Sequence, residues 1–282
     1  MSASAGVPPA LGDALQSNAD RIRPFGSRLV HLAEVGSTND VAAVLASGDT
    51  PEGTLVIADA QTAGRGRMGH SWYSPAGAGL YVSVVLRPPR TWLTRAPGLV
   101  NLVTLTAGVA VAEGLRTASG IDAAIKWPND IVVGRGRSSA LGEWRKIAGI
   151  LAEGAATGGE LQHVVLGYGV NLLRVEYPPE LAERATSIEQ EIGRRVERTT
   201  VLVETLAVLS QGYAALAEGR AEDVIARWRA LSPSCEGAPV AWTGAAGRTV
   251  GVTAGIDSAG ALLVRTGDGR TEAIRSGEVT WL

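Results

Sequence analysis

Cysteine is almost absent from this sequence, since Cys235 is the single thiol among 282 residues. One cysteine excludes an internal disulfide and any metal site built from several thiolates, and it suits a reducing compartment. Aromatic residues are also scarce, at 5% of the chain. Few aromatic rings and the lack of a basic run argue against a module that binds nucleic acid.

An excess of either charge is missing as well. The 26 lysines and arginines nearly balance the 28 acidic residues, for a formal net charge of -2, so any anion site has to be local. The opening residues, MSASAGVPPALGDALQ, lack the charged start and apolar centre of a secretory signal. No apolar run approaches the roughly 20 residues of a membrane helix. We therefore expect a soluble, cytoplasmic protein that does not act at a membrane.

The sequence as a whole has an ordinary globular composition, 45% hydrophobic. The local composition changes along the chain. Residues 1–24 are rich in Ala, Ser, Gly and Pro and predict a tail, or a short helix at most. Residues 25–233 predict an α+β domain with a mixed sheet, because the β-branched runs cluster instead of alternating strictly with helices. Residues 234–282 hold short β-like runs between Gly and Asp turns, which predicts a small all-β domain of about five strands.

Local patterns in the larger domain predict its individual elements. Two helix faces are indicated by apolar residues at helical spacing: Leu99, Leu102, Val103, Val109 and Leu115, then Leu202, Leu206, Leu209, Tyr213 and Leu216. Val224, Trp228 and Leu231 repeat this pattern on another helix. The segment AIKWPNDIVV predicts a hairpin turning at Pro-Asn-Asp. KIAGILAEG and HVVLGYGVNLL predict two further strands.

The stretch QTAGRGRMGHSW, from Gln61 to Trp72, differs from everything around it. It combines three glycines with two arginines and has almost no apolar content before the tryptophan. Such a segment cannot bury enough surface to order itself well, yet it lies between two predicted core strands. Glycines let backbone N–H groups approach an anion, and arginines donate to carboxylate or phosphate. We interpret it as an anion-binding loop, although an arbitrary loop of this composition is more often simply solvated.

Three more segments carry polar residues in unexpected places. In KWPND the turn accounts for the last three residues but not for Lys126 and Trp127. In KIAGILAE, Lys146 opens an otherwise apolar strand, where it either extends to solvent or faces an anion. In GSTND, Ser37 or Thr38 is either a helix N-cap or a hydrogen-bonding group for a small polar ligand.

Taken together and in this order, these segments resemble the biotin protein ligases. The similarity runs from about Val30 to Leu282 and includes GSTN, QTAGRGRMGHSW, KWPNDI, KIAGILAE, GYGVN and ATS (185–187). It implies a biotin- and ATP-binding α+β domain, related in fold to class II aminoacyl-tRNA synthetases, followed by a small β-barrel. It also implies a reaction in two steps. Biotin is activated by ATP to biotinyl-5′-AMP and then transferred to a lysine of a biotin carrier domain of an acyl-CoA carboxylase.

The resemblance also assigns roles to residues. The biotin-binding positions that it implies are Ser37, Thr38, Asn39, Gln61, Gly64, Arg65, Gly66, Arg67, Lys146, Gly167 and Gly169. The ATP- or adenylate-binding positions that it implies are Arg65, Arg67, Trp72, Asn129, Asp130, Lys146 and Asn171. Lys146 and Arg67 are the implied catalytic residues. Mg²⁺ is expected to be carried mainly by the ATP phosphates, with no protein ligand assigned. Asp130 could orient either Lys126 or the metal.

Three features of the sequence depart from the family pattern. His70 stands where an arginine is common. An insert, residues 134–145, repeats GRGR with Arg135 and Arg137, but we interpret it as a solvated loop. Only 36 residues precede Ser37, so we expect a monofunctional ligase without the N-terminal DNA-binding domain of regulatory members. We also expect a monomer or weak homodimer that does not bind DNA.

Three alternatives compete with this interpretation. A lipoate–protein ligase shares the fold and the adenylation chemistry, but it lacks the combined GRGR-x-G and KWPND pattern. A nucleic-acid-binding module would explain the Arg/Gly loops and the β domain, but the net charge of -2 is against it. A purely structural protein would not explain why Arg67, Lys126 and Lys146 occur together.

Overall fold

The computed structural model describes residues 6–89, 92, 98–134, 144–158, 160–244, 247–275, 277 and 279–282. Its helices are α1 (Pro9–Ser17), α2 (Ala19–Ile22), α3 (Thr38–Ala46), α4 (Leu99–Ser119), α5 (Pro179–Ala182), α6 (Ile188–Ile192), α7 (Arg198–Ala217) and α8 (Ala221–Leu231). Its strands are β1 (Leu29–Val35), β2 (Leu55–Gln61), β3 (Gly79–Leu86), β4 (Ala124–Lys126), β5 (Asp130–Val133), β6 (Arg145–Thr157), β7 (Glu160–Asn171), β8 (Glu236–Gly244), β9 (Gly247–Ile256), β10 (Leu262–Thr266), β11 (Thr271–Ile274) and β12 (Val279–Trp281). Residues 135–143, the greater part of the insert with Arg135 and Arg137, lie outside the described residues.

The larger unit is built on a seven-stranded sheet in the order β1-β2-β3-β7-β6-β5-β4. β1 and β2 are parallel, and the other neighbouring strands are antiparallel. This mixed sheet with helices confirms the predicted α+β class. The predicted hairpin is also confirmed, because β4 and β5 pair across the KWPND turn.

The centre of the sheet is buried on both faces. All eight residues of β3 are buried, as expected for a β-branched run in the middle of a sheet. Helices α4 and α7 cover one face and approach each other closely where glycine meets threonine. A Cβ on Gly114 would lie 2.7 Å from Thr205 Cα, and one on Gly212 would lie 2.5 Å from Thr106 Cγ2. These two glycines therefore set the distance between the two helices.

The sequence analysis found no apolar run as long as a membrane helix, and α4 and α7 depart from that expectation. Both helices are long and apolar enough to span a membrane by composition, with a mean hydropathy of 1.3 in their most apolar windows. Most of each window is buried inside the protein. Since a buried core helix is apolar on most of its surface, the core accounts for this composition.

The N-terminal segment also differs from the expected tail. Residues 9–22 form α1 and α2, and Leu11, Leu15 and Ile22 are buried in the main core. Arg21 forms a two-pronged pair with Glu204 of α7. Composition did not reveal this packing, because three apolar residues in a segment rich in Ala and Pro give only a weak periodic signal.

Residues 236–281 contain the five-stranded sheet β11-β10-β9-β8-β12, which confirms the predicted β domain. This sheet packs on the larger unit, since Ile256, Leu262 and Val264 belong to the same buried cluster as the α4 core. Trp127 Nε1 donates to Gly260 O at 3.1 Å, and Lys126 Nζ lies 4.8 Å from the Trp281 ring. The residues of KWPND that turn geometry left unexplained thus contact the β domain.

Candidate functional site

The start of α3 lies over the middle of the sheet and holds the GSTN residues. Thr38 donates through its backbone N–H and its hydroxyl to Gln61 Oε1, at 2.9 and 3.1 Å. Gln61 Nε2 in turn donates to Ser74 Oγ at 2.8 Å. Ser37 precedes the helix, but its side chain makes no capping hydrogen bond. The Thr38 hydroxyl therefore joins a network with β2, and Ser37 does not cap the helix through its side chain.

Asn39 of α3 connects two strands of the sheet, β3 and β6, through its side-chain amide. Its side-chain nitrogen donates to Glu153 Oε2 at 2.8 Å, and its oxygen lies 2.6 Å from the hydroxyl of Ser83. Asn39 and Ser83 are both buried. A buried polar side chain needs partners for its donors and acceptors, and these contacts fix the orientation of the amide.

The Gly/Arg loop folds as a short hairpin, although composition indicated that it cannot order itself. Gly66 N–H donates to His70 O at 2.7 Å, and Trp72 N–H donates to Gly64 O at 2.8 Å. Met68 occupies the left-handed region, with φ of 53°, at the tip. Backbone hydrogen bonds and ion pairs hold this segment, so it needs little apolar burial. His70 contributes its carbonyl to this hairpin.

Arg65 extends from the hairpin to carboxylates on two other elements. Its guanidinium pairs with both oxygens of Glu153, at 2.9 and 2.6 Å, and with Asp40 at 3.0 Å. A cavity of about 610 Å³ opens beside this cluster. It is lined by Asp40, Ala63, Gly64, Arg65, Gly66, Arg67, Met68, Gly69, His70, Ser71, Leu151, Ala152 and Glu153.

Lys146 stands at the start of β6, and the charge of its partner Asp130 also acts on Arg67, which lines this cavity. Its Nζ pairs with Asp130 at 2.6 Å and lies 5.2 Å from the ring of Trp72. About a third of its side chain remains exposed, at 34%. The ammonium is therefore fixed between a carboxylate and an aromatic face while keeping access to solvent, which suits a group that binds an anion.

Arg67 points from the hairpin toward the KWPND turn. Its Nη1 lies 3.5 Å from Asn129 Oδ1, and Asn129 Nδ2 donates to the carbonyl of Ile150 at 2.8 Å. Burial lowers the pKa of the Arg67 guanidinium from its usual value, and the charge of Asp130 partly offsets that effect. Arginine stays protonated even so, and partial burial strengthens its attraction for an anion.

The two glycines of GYGVN provide space for side chains of the site. A Cβ on Gly167 would lie 2.1 Å from Asn39 Oδ1, and a Cβ on Gly169 would lie 2.3 Å from Trp72 Nε1. The family resemblance implied that both glycines are biotin-binding positions. In the structure they make room for two side chains that the same resemblance places in the site.

Asn171 lies farther along β7 and has a local partner. Its side chain donates to Thr186 O at 2.9 Å. Lys146 meets the same segment through its backbone, since it donates to Arg184 O at 2.7 Å and accepts from Thr186 N–H at 2.9 Å. The ATS segment therefore anchors the start of β6 and the end of β7 side by side.

A second, smaller cavity of about 110 Å³ lies where the two units meet. Arg67 and Trp127 line it from the larger unit, and Gly260 and Arg275 line it from the β domain. Two guanidinium groups at one small cavity make it attractive to an anion. Sequence reasoning had found no ligand-side residue in the β domain, and Arg275 is such a candidate.

Sequence reasoning also missed Glu153, Ser83 and Asp40. Each stands in an unremarkable local context: Ser83 in a core strand, Asp40 after the GSTN segment and Glu153 at the end of KIAGILAE. Their partners lie far away along the chain, so no local pattern indicates the contacts. Within the part of the chain that the structure describes, no group of three His, Cys, Asp or Glu residues could hold a metal.

Comparisons with known proteins agree with this architecture. Residues 33–171 match the family model described as Biotin/lipoate A/B protein ligase family, and residues 237–280 match Biotin protein ligase C terminal domain. The Biotin--[acetyl-CoA-carboxylase] ligase of Paracoccus denitrificans is 34% identical over 88% of this chain and 98% of its own length. The protein of that name from Mycobacterium tuberculosis is 32% identical over 89% of this chain and 88% of its own.

Longer relatives and a solved structure extend the comparison. This chain is 38% identical to the Bifunctional ligase/repressor BirA of Bacillus spizizenii but spans only 54% of that protein's length. The biotin protein ligase from Aquifex aeolicus in complex with biotin and ATP has the same fold, with a TM-score of 0.74. It is 28% identical and aligns with 91% of this chain and 99% of its own. The chain therefore belongs to the biotin protein ligase family.

Proposed function

We propose that this protein activates biotin with ATP and transfers it to a lysine of a biotin carrier domain of an acyl-CoA carboxylase. The observation that carries the proposal is the position of Lys146, held between Asp130 and Trp72. The charge of Asp130 also acts on Arg67 of the cavity-lining hairpin. Family membership supports the ligase activity, and the A. aeolicus structure with biotin and ATP supports the two ligands.

In the first step, an oxygen of the biotin carboxylate attacks the α-phosphorus of ATP. The bond from that phosphorus to the bridging oxygen breaks, and pyrophosphate leaves with its electrons. Two anions have to approach each other, so the site must supply fixed positive charge. Arg65 and Arg67 line the 610 Å³ cavity, and Lys146 is paired with Asp130, whose charge also acts on Arg67. These three cations can therefore provide it, although the net charge of the chain is -2.

Arg65 and Lys146 already have carboxylate partners. Glu153 and Asp40 hold Arg65, and Asp130 holds Lys146. These pairs keep the cations in place before substrates bind, so less ordering has to occur during the reaction. They also weaken ligand binding, because an incoming carboxylate or phosphate must share or displace the protein's own carboxylates.

Mg²⁺ fits this site as an ion that comes with the nucleotide. Asp130 and Asn129 place oxygen donors beside Lys146 and Arg67, and Mg²⁺ is commonly held by one or two carboxylates together with substrate phosphates. When bound, the ion would neutralise phosphate charge. Asp130 and Asn129 are the side chains that would hold it, and Lys146 would then be released toward the reacting carboxylate.

In the second step, the lysine amine of the carrier attacks the acyl carbon of biotinyl-5′-AMP. AMP leaves, the amine loses a proton and an amide forms. The anhydride has to be kept from water until the carrier arrives, and we assign that role to the hairpin of residues 64–72. We further propose a cytoplasmic monomer or weak homodimer that divides into two units near residue 233 and does not bind DNA.

Lipoate is the competing substrate, because the family model that matches residues 33–171 includes both classes. The match of residues 237–280 to a biotin protein ligase domain favours biotin. Incubation with Mg-ATP, a carrier domain and either biotin or lipoate tests this directly. A mass increase of one biotin on the carrier is expected. Transfer of lipoate alone, or of neither acid, would overturn the proposal.

A further inference from the structure

Ser83 is a fully buried hydroxyl in the middle of β3, directly beneath α3. Its Oγ lies 2.6 Å from Asn39 Oδ1 and 2.8 Å from Thr38 Oγ1. A hydroxyl has one proton to donate. Ser83 can therefore donate to only one of these two neighbours. Which one it serves sets the direction of the hydrogen bonds that link Thr38, Ser83 and Asn39.

Glu153 settles the direction from the far end. Asn39 Nδ2 lies 2.8 Å from Glu153 Oε2, and both oxygens of that carboxylate also accept from Arg65. A carboxylate paired in this way can only accept, so the amide nitrogen of Asn39 must face it. The amide oxygen of Asn39 then faces Ser83 and can only accept. The proton of Ser83 is committed to Asn39.

Because Ser83 donates to Asn39, the hydroxyl oxygen of Thr38 receives no proton from Ser83 and can accept a hydrogen bond. Its own proton goes to Ser83 Oγ at 2.8 Å or to Gln61 Oε1 at 3.1 Å, since both can accept. The orientation of Gln61 is set by the backbone N–H of Thr38, which donates to the same Oε1. Once Ser83 donates to Asn39, no group among the described residues donates to Thr38 Oγ1. A ligand at the biotin-binding position implied for Thr38 would then meet the lone pairs of this hydroxyl.

We propose that Ser83 is a positioning residue that sets specificity for the ligand ring. By giving its proton to Asn39, it makes the Thr38 hydroxyl an acceptor that selects a ring N–H, such as those of the ureido group of biotin. A ring atom that can only accept would face a lone pair and be rejected. The inference rests on the proposed function and adds Ser83 and Glu153 to the residues that determine its substrate.

Two biotin analogues test this directly, each with one ureido N–H replaced by a ring oxygen, which makes a cyclic carbamate of nearly unchanged shape. Biotin-dependent exchange of pyrophosphate into ATP gives kcat/KM for biotin and for each analogue. The wild type should reject at least one analogue strongly, because a site built to accept a hydrogen bond discriminates sharply against its absence. In Ser83→Ala, the Thr38 hydroxyl can turn and donate to the ring oxygen. The preference for biotin over that analogue should fall about tenfold.

The same variant should raise KM for biotin about 5- to 150-fold while leaving KM for ATP unchanged within about twofold. Val85→Ala is the matched control, because Val85 lies two residues along the same strand and packs under α3 with Ala42 and Ala46. It should lower the melting temperature without changing the preference for biotin. Equal preferences in Ser83→Ala and wild type would overturn the inference.

Glu153→Gln gives an independent test, since a glutamine can present either an acceptor or a donor to Asn39. It should weaken the preference in the same direction. Asp122→Asn is the control, because Asp122 is an exposed carboxylate that pairs with Arg116 outside the candidate site; it should keep the wild-type preference. If wild type shows no biotin-dependent exchange, the proposed function fails; if it shows exchange but these variants behave alike, only the role of Ser83 fails.

Discussion

Lys146 Nζ and Asp130 Oδ1 lie 2.6 Å apart across the paired strands β5 and β6. Sequence patterns singled out both residues but did not indicate that they pair. The pair places a cation beside the arginine hairpin and balances its charge before any ligand binds. It also assigns Asp130 a partner, which the sequence had left open between Lys126 and a metal.

Lys146→Ala should nearly abolish biotin-dependent pyrophosphate exchange, because the reacting carboxylate loses its nearest fixed cation. The change in the free energy of unfolding should stay within about 0.5 kcal/mol, since the side chain is partly exposed to solvent. Exchange kinetics and urea unfolding measure the two effects. Arg145→Ala, on the neighbouring residue that pairs with Glu191, is the control and should retain exchange. Exchange in Lys146→Ala within severalfold of wild type would refute the role of this lysine.

The arginine hairpin should become less accessible to trypsin when biotin and ATP bind. Arg65 and Arg67 are cleavage sites in a segment held by ion pairs instead of apolar burial, so its open form should be more populated without ligands. Limited digestion should yield fragments of about 7 and 22 kDa from the 29.1 kDa chain. Biotin with ATP should suppress that cut.

The insert provides an internal control for this digestion, because Arg135 and Arg137 repeat the GRGR sequence. Cleavage there should change little on adding ligands. Protection of the insert without protection of the Arg65–Arg67 region would reverse the assignment of the working loop.

Arg275→Ala should raise KM for ATP severalfold and leave KM for biotin unchanged. Arg275 lines the 110 Å³ cavity together with Arg67, so its removal halves the number of guanidinium groups available there to an anion. Arg270→Ala is the control, because Arg270 is an exposed arginine of the same domain that pairs with Asp268. Equal effects of the two variants on KM for ATP would show that only the overall charge of the domain matters.

Asp59→Asn should destabilise the fold by about 1 kcal/mol at neutral pH, a value discounted for the partial exposure of the group. Burial opposes ionisation of Asp59, but hydrogen bonds from Arg198 and His31 outweigh it and hold the pKa of the carboxyl below its usual value. A depressed pKa stabilises the fold above the unfolded-state pKa, near 3.9, and the contribution is lost as pH falls through the folded pKa.

Urea unfolding of Asp59→Asn and wild type at pH 7 and pH 3 measures this contribution. The difference in unfolding free energy should be largest at pH 7 and smaller at pH 3, where the wild-type carboxyl begins to protonate. A difference that grew on acidification would contradict the assignment of the ion pair with Arg198.

Local sequence determined much of the molecule. β-branched runs and turn residues were enough to predict the β4–β5 hairpin, the strands β3, β6 and β7 and the five-stranded C-terminal sheet. The composition of residues 61–72 set that segment apart, and its role as an anion-binding loop stays a prediction. These features depend on side-chain periodicity and backbone preferences over a few neighbouring residues, which a single sequence displays directly.

Tertiary structure decided the features that depend on distant partners. Glu153 is 88 residues from Arg65 and 114 from Asn39, and no local pattern predicts that one carboxylate serves both. The roles of Gly167 and Gly169 became clear only once Asn39 and Trp72 were seen above them. The N-terminal segment, expected as a tail or a short helix at most, forms two helices that pack against α7. Hydrogen-bond direction, burial and ion pairing act through space, and they are settled only when the sheet brings separate segments together.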